Sequence, residues 1–500
     1  MKKKIFTTII LIFLFAGTVV FGAGNLDIPV KKYVLSNLLT VLIAERHDAP
    51  IFSAHILFKV GSVDDPTGLT GVAHMLEHMM FKGTKIIGTT DYEAEVPIME
   101  KIDSLLGEIE KEKANGIVSS SDVDWEKIKK AEAEIKKLEK EQEKYVIPNE
   151  MDAIYARNGE EGFNAYTAND RTCYIISLPS NRLSLWAFLE SDRIKNPVFR
   201  MFTSERDTVL EERKLRNEDS PSGRMWEEFF AALYQANPRH NPIVGWASDI
   251  ENFTPGDVME VFKRNYSPQN TVIVLCGDIY PDRAVKVMEK YFGDIENSAK
   301  VRTVFTEEKK QSGARRVEVK FDAKPQILIG FHGPKPLSKE RFALDLLSDI
   351  AGSGKTSRLY KELVENKKLT SGIWAGVAPF KYDVPFMIGA TPVEGVDLKA
   401  VEEEIFTQIE KLKTEKVSQW ELQKVKNGVN AYFVRGLKGR SNLASELAYA
   451  EGVLGDWRLF DLRKNYEEVT ADDIQKVAQK YLNRDKSTVI VLKETEKEAR

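Results

Sequence analysis

The sequence predicts an α+β protein of two similar halves, and three observations carry that prediction. Runs of strand-like composition alternate with runs at helical spacing along most of the chain. A helix-plus-strand unit recurs near the end of each half. The chain has 500 residues, too many for one hydrophobic core, and domain-size priors give roughly two to four domains.

In chain order, Lys2, Lys3 and Lys4 come first, then a nearly unbroken apolar run over 5–21, then the small residues Gly22, Ala23 and Gly24. Positive charge, apolar run and small residues in that order predict a secretory signal peptide over 1–23, cut near residues 22–24. The run is marginal in length for spanning a bilayer, so the alternative is an uncleaved anchor. No cysteine stands near the cut, which argues against a lipid anchor. The protein is therefore expected to be exported, periplasmic or extracellular, or tethered by an uncut signal. Loss of the three lysines takes the formal charge from -4 to -7. No basic surface interleaved with aromatics marks a nucleic-acid partner.

Residues 38–45 and 51–60 read as strands, 61–68 as a loop rich in Gly, Asp and Pro, and 71–81 as a helix carrying two histidines. Residues 97–150 differ in character: 100–113 and 122–145 are densely charged, with Ile, Leu and Ala at helical spacing, broken at Asn115-Gly116 and around Ser119 to Ser121. They predict a helical hairpin projecting from the body, with a solvated charged surface as the plainer role. Residues 159–177 return to strand-like sequence, and 183–194 and 204–217 read as helices.

The repeat has Thr254, Tyr266 and the strand Thr271-Val272-Ile273-Val274-Leu275 in its first copy, and Thr470, Tyr481 and Thr488-Val489-Ile490-Val491-Leu492 in its second. Each copy begins with a Thr-capped helix bearing an acid three residues on, Asp257 or Asp473. The polar stretch 298–314 reads as the linker, so the halves are 27–297 and 315–500. The two cysteines, Cys173 and Cys276, lie in apolar strand-like runs. They can pair in an exported chain or stay as buried thiols, and they cannot build a multi-cysteine metal site.

The chemistry centres on His74-Met75-Leu76-Glu77-His78. Residues i and i+4 share a helix face, so His74 and His78 can grip one zinc ion, and Glu77 beside them can act as general base on a water. This is the inverted form of the H-E-x-x-H motif. A catalytic zinc needs a third protein ligand and an open fourth position. Glu205 and Glu212, seven apart, share a face of a second helix; one can bind the metal while the other braces a histidine, and Glu211 points away. Gly352-Ser353-Gly354-Lys355-Thr356 imitates a phosphate loop, but that pattern needs Gly where Asp349 stands, so nucleotide binding is excluded.

Gly71-Val72-Ala73-His74-Met75-Leu76-Glu77-His78-Met79-Met80-Phe81-Lys82-Gly83-Thr84 resembles the signature of the pitrilysin, insulinase and mitochondrial processing peptidase family of zinc metallopeptidases. Residues 162–167, Ser191-Asp192-Arg193, Asn196-Pro197 and 354–363 resemble further family blocks, so the resemblance spans nearly all of the chain beyond the signal. It implies two homologous halves, each an antiparallel sheet with flanking helices, closing like a clam around a chamber, with the C-terminal half metal-free. It implies one Zn2+ per chain on His74, His78 and Glu212, Glu77 as general base, Glu205 behind the ligands, and Asn164 and Ala165 on a strand edge that pairs with extended substrate. The activity implied is endopeptidase action on peptides or unfolded segments.

Two departures qualify the resemblance. His78 and Glu212 are 134 positions apart, more than the family spacing, and the charged insertion accounts for the excess. Active members also supply an Arg and a Tyr from the C-terminal half, and ungapped alignment puts Val364 and Ser371 there, with Arg358 and Tyr360 nearby. The chain is thus expected to work with a paralogous subunit carrying the Arg-Tyr pair, or as a homodimer. The alternative is a non-catalytic scaffold or binding subunit of the same fold.

Overall fold

The computed structural model describes residues 28–116, 122–297 and 304–495. The signal peptide expected over 1–23 and the first part of the linker lie outside these residues. Among them, no helix is long and apolar enough to cross a membrane.

Two mixed sheets organise the chain. The first holds β1 (Val30–Val34), β2 (Thr40–Glu45), β3 (Ile51–Phe58), β4 (Glu161–Thr167), β5 (Thr172–Pro179) and β6 (Thr271–Gly277), in the spatial order β1-β2-β6-β3-β5-β4. The second holds β7 (Arg315–Phe321), β8 (Gln326–Phe331), β9 (Thr370–Val377), β10 (Phe386–Pro392) and β11 (Thr488–Glu494), in the order β7-β11-β8-β10-β9. Apart from the extra edge strand β1, the two orders are the same. β6 lies parallel to β2 and antiparallel to β3, and β11 lies parallel to β7 and antiparallel to β8. The sheets are therefore not wholly antiparallel, as the resemblance implies; each carries one parallel pair. The repeated helix causes it, because a crossover returns the final strand in the direction of the first. The two crossover helices also share their cap: Thr254 N–H donates to Asp257 Oδ2 and Thr470 N–H to Asp473 Oδ2, both at 2.9 Å.

The halves exchange helices. Pro221–Leu233, from the first half, lays Met225, Phe229 and Leu233 on the second sheet against Val319, Leu328, Ile490 and Leu492. Arg440–Tyr449, from the second half, lays Leu443, Ala444, Leu447 and Ala448 on the first sheet against Leu42, Leu57, Val272 and Val274. The central strands are thus covered on both faces, which is why β6 is a continuous apolar run, buried at every residue. Cys173 on β5 and Cys276 on β6 are buried free thiols, with β3 between their strands.

The charged insertion forms two long helices, α2 (Tyr92–Asn115) and α3 (Trp125–Gln142), which follow the short helix α1 (Val72–Met79). α2 starts earlier than its composition suggests because the Asp91 side chain accepts from Ala94 N–H and caps it. The pair does not project from the body. Ile98, Ile102, Leu106 and Ile109 of α2, with Ile128, Ala131, Ile135 and Leu138 of α3, join the core of the first half. An apolar stripe at i, i+4 spacing gains most by burial, and the charges occupy the opposite faces.

Candidate metal centre

α1 is buried nearly all round: Val72, Ala73, Met75, Leu76 and Met79 pack into the core, and His74 and Glu77 are buried with them. Its start is pinned. Asp65 accepts from Gly71 N–H at 2.8 Å and from Ala73 N–H at 3.1 Å. Gly71 adopts φ +88°, and a Cβ there would stand 2.2 Å from the Val244 carbonyl oxygen, so glycine is required. This seat aims His74 and His78, one turn apart, to the same side.

The opposing wall is the helix Phe202–Arg213, which carries Glu205 and Glu212 on one face. His74 Nε2 lies 3.6 Å from Glu212 Oε1, and His78 Nε2 lies 3.3 Å from Glu212 Oε2. His78 Nδ1 lies 2.9 Å from Glu205 Oε1, and Lys82 closes an ion pair on the other Glu205 oxygen. The geometry separates the two glutamates, which sequence spacing leaves interchangeable. Glu212 faces both Nε2 atoms, and Glu205 stands behind His78. Among the described residues, His74, His78 and Glu212 form the one group able to hold a metal ion, with donor atoms all within 4.8 Å of one another.

The donors fit zinc. Tetrahedral ligands at about 2.1 Å from the ion stand roughly 3.4 Å apart, close to the spacings from Glu212 to the two imidazoles. Two imidazoles and one carboxylate are the donor types of hydrolytic zinc sites. Glu205 fixes the His78 ring from its far side, as an outer partner of a ligand does, whereas His74 Nδ1 is buried without a hydrogen-bond partner among the described residues. The electrostatics divide the pair. Burial, reinforced by the neighbouring His78, pushes His74 down to about 4. Burial also opposes charge on His78, but its contacts with Glu205 and Glu212 outweigh that and raise it to about 9. Burial raises Glu77 above the ordinary glutamate range, against the Thr167 hydroxyl, which donates to Glu77 Oε2 at 2.5 Å.

These groups open into a cavity of 790 Å³ whose lining residues all belong to the first half. One rim is β4, which among the described residues is an edge strand bonded only to β5, and Asn164, Ala165, Tyr166 and Thr167 face the cavity from it. The Ala165 N–H bonds Asn164 Oδ1 at 2.9 Å, so an incoming strand would displace that local contact. Much of the lining escaped the sequence reading, Thr167, Trp226 and Arg216 among it. Arg216 pairs with Glu212 Oε1 at 2.6 Å from a π-helical turn, Lys214–Glu218. Its position four residues beyond Glu212 is the one signal that could have pointed to it.

Among the described residues, the second half brings no Arg-Tyr pair to this cavity. Val364 packs on the second core, and Ser371 is exposed, its hydroxyl donating to the Thr391 carbonyl at 3.2 Å. Arg358 is held by Glu421 through bonds of 2.8 and 3.0 Å, and Tyr360 packs on the second core.

The family model described as insulinase (peptidase family M16) matches residues 40–99, and that described as the peptidase M16 inactive domain matches residues 252–429. The zinc protease PqqE of Helicobacter pylori is 27% identical over 467 residues, covering 92% of this chain and 91% of that protein. An uncharacterized zinc protease of Mycobacterium leprae is 23% identical, covering 86% of this chain and 84% of its own length. Among solved structures, a protease from Helicobacter pylori aligns with a TM-score of 0.78 at 26% identity, over 93% of this chain and 100% of that one. The periplasmic protease PqqL from Escherichia coli aligns with a TM-score of 0.69 at 15% identity, over 93% of this chain but 48% of that chain.

Proposed function

The chain belongs to the insulinase (M16) family of peptidases, and from that premise we propose that it is a zinc-dependent endopeptidase acting on peptides or unfolded segments. One observation carries the reading: His74, His78 and Glu212 converge at ligand spacing beside Glu77, in a cavity rimmed by a free strand edge. The resident ion is one Zn2+ per chain, held by His74, His78 and Glu212.

A bound zinc supplies Lewis-acid polarisation of the attacking water and of the scissile carbonyl. The chain's own residues do the rest. An extended substrate adds to β4 at Asn164 and Ala165, so its backbone hydrogen bonds hold the scissile bond over the site. The Thr167 hydroxyl engages Glu77 Oε2 and leaves Oε1 free to take the proton of the water. Glu77 then returns that proton to the leaving amine, the two-way role of a general base. Glu205, fixed by Lys82, holds the His78 ring so that its Nε2 faces Glu212, where the ion would be held.

The reading includes a partner. Among the described residues, the cavity lining contains nothing from the second half, and Arg358, Tyr360, Val364 and Ser371 all lie elsewhere. A paralogous subunit bearing an Arg-Tyr pair, or a second copy of this chain, is proposed to complete the substrate side of the site. Export through the segment 1–23, to the periplasm or the exterior, belongs to the same proposal.

The test is hydrolysis of an internally quenched peptide by the purified chain, alone and with a paralogous subunit, with and without a chelator. Zinc should copurify near one per chain, and Glu77→Gln should keep the zinc while losing about 10²–10⁴-fold in turnover. A wild-type chain that binds no zinc, or a Glu77→Gln variant as active as wild type, overturns the function. Full activity of the chain alone as a monomer overturns the partner.

A further inference from the structure

The hairpin α2–α3 lies between the two ligand-bearing helices in sequence, and the proposed function gives it no task. Its polar contacts give it one. The helix Phe202–Arg213 begins at Met201, a left-handed residue at φ +54° whose side chain cannot cap. The first-turn donors of that helix are taken instead by α3. Glu139 Oε1 accepts from Thr203 N–H at 3.0 Å and Ser204 N–H at 3.4 Å, and Glu139 Oε2 accepts from the Ser204 hydroxyl at 2.9 Å. Gln142 Oε1 accepts from Met201 N–H at 3.4 Å. Both side chains are buried, so these bonds are shielded from water. A carboxylate at this end also meets the positive pole of the helix.

α2 holds the other ligand segment. Glu95, fully buried, binds Arg200 Nε at 3.1 Å. Arg200 donates in turn to the carbonyls of Lys82, Thr84 (2.8 Å) and Ile87 (3.2 Å), in the loop that leaves α1. Lys82 reaches from that loop to Glu205. The two helices of the hairpin therefore clamp the exit of the histidine helix and the start of the glutamate helix. Their apolar stripes are fixed in the same core.

We propose that the hairpin is a brace for the metal site, with Glu139 as a positioning residue that sets the height of the helix carrying Glu205 and Glu212. The inference rests on the reading of His74, His78 and Glu212 as zinc ligands. A ligand set displaced along its helix axis loses affinity even when every ligand is present, so the brace acts on metal retention.

The experiment measures the zinc dissociation constant of the purified chain by competition with a chromophoric chelator, and its melting temperature with and without zinc. Glu139→Ala is expected to weaken zinc binding about tenfold or more, the lower range for loss of an outer support, and Ser204→Ala by about threefold. Glu139→Gln keeps an accepting oxygen and should stay within about threefold of wild type, while Lys129→Ala, on the exposed side of α3, should change nothing. A merely structural Glu139 would lower the melting temperature with and without zinc alike and leave the dissociation constant unmoved; that result overturns the brace. Glu139→Gln as weak as Glu139→Ala overturns the capping argument. If Glu139→Ala does not fold, Ser204→Ala decides: an unchanged constant refutes the proposal and a raised one supports it. A wild-type chain that binds no zinc defeats the proposed function itself, and so is distinct from failure of the brace.

Discussion

Phe229 belongs to the first half by sequence and to the second by packing, and its replacement tests the helix exchange. The ring is fully buried on the second sheet, directly over Gly330 of β8, where a Cβ would stand 2.3 Å from Cζ and 2.4 Å from Cε2 of the ring. Phe229→Ala removes a buried aromatic and should cost about 3–5 kcal/mol. Gly330→Ala forces a methyl against a ring with no space to retreat and should cost about 1–3 kcal/mol. Together the two changes compensate, since the new methyl enters the space the ring vacates. The double variant should therefore be more stable than the sum of the single losses by about 1–3 kcal/mol. Urea unfolding of the four proteins reads this out by tryptophan fluorescence, with Trp226 as a local reporter 5.5 Å from the Phe229 ring. Additivity within about 0.5 kcal/mol would show that ring and glycine do not meet, and would refute the packing argument. A second half that unfolds in its own transition, unaffected by Phe229→Ala, would refute the coupling of the halves.

Three further outcomes are expected. Glu205→Gln, which weakens the support of His78, should loosen zinc by about 10–100-fold in a chelator competition, and an unchanged constant would remove Glu205 from the site. His55 is buried under the Arg440–Tyr449 helix, its Nε2 3.0 Å from Ser441 Oγ, and burial lowers it from 6.5 to about 4. The unfolded chain therefore binds that proton more readily, so the stability it contributes is complete above pH 6.5 and is lost as pH falls toward 4. The loss is about 3 kcal/mol over that window, and a His55→Gln variant should lack this part of the acid slope; an identical slope would sink the assignment. Burial also pushes the thiols of Cys173 and Cys276 up to about 12, so a thiol reagent should find neither in the native protein and both after unfolding; rapid native labelling would contradict their placement.

Local patterns made several elements legible. The segments beginning at Thr271 and Thr488 both open Thr-Val-Ile-Val-Leu, four β-branched residues and a leucine, and such runs mark strands covered on both faces. What covers them is beyond local reading, because the covering helix comes from the other half. The hairpin shows the opposite failure. Its charge hides a narrow stripe of Ile, Leu and Ala, so composition suggests a solvated projection while the stripe is buried in the core. The contact of Glu139 with the Phe202–Arg213 helix spans 64 residues, and no short-range rule signals it. Ungapped alignment puts the Arg-Tyr pair at Val364 and Ser371, and neither these nor their neighbours Arg358 and Tyr360 reach the cavity.

By itself, the sequence determined the chemistry on offer: two imidazoles one helical turn apart, a carboxylate between them, and two glutamates seven apart on another helix. Those follow from helix periodicity, which is a local property of the backbone. Helix periodicity left the two glutamates interchangeable and the resemblance pointed to Glu212; the tertiary structure decided that Glu212 faces both histidines, that the edge of β4 rims their cavity, and that the inserted hairpin caps the helix bearing the glutamates. Those are relations between segments far apart in the chain, set by which apolar faces bury one another.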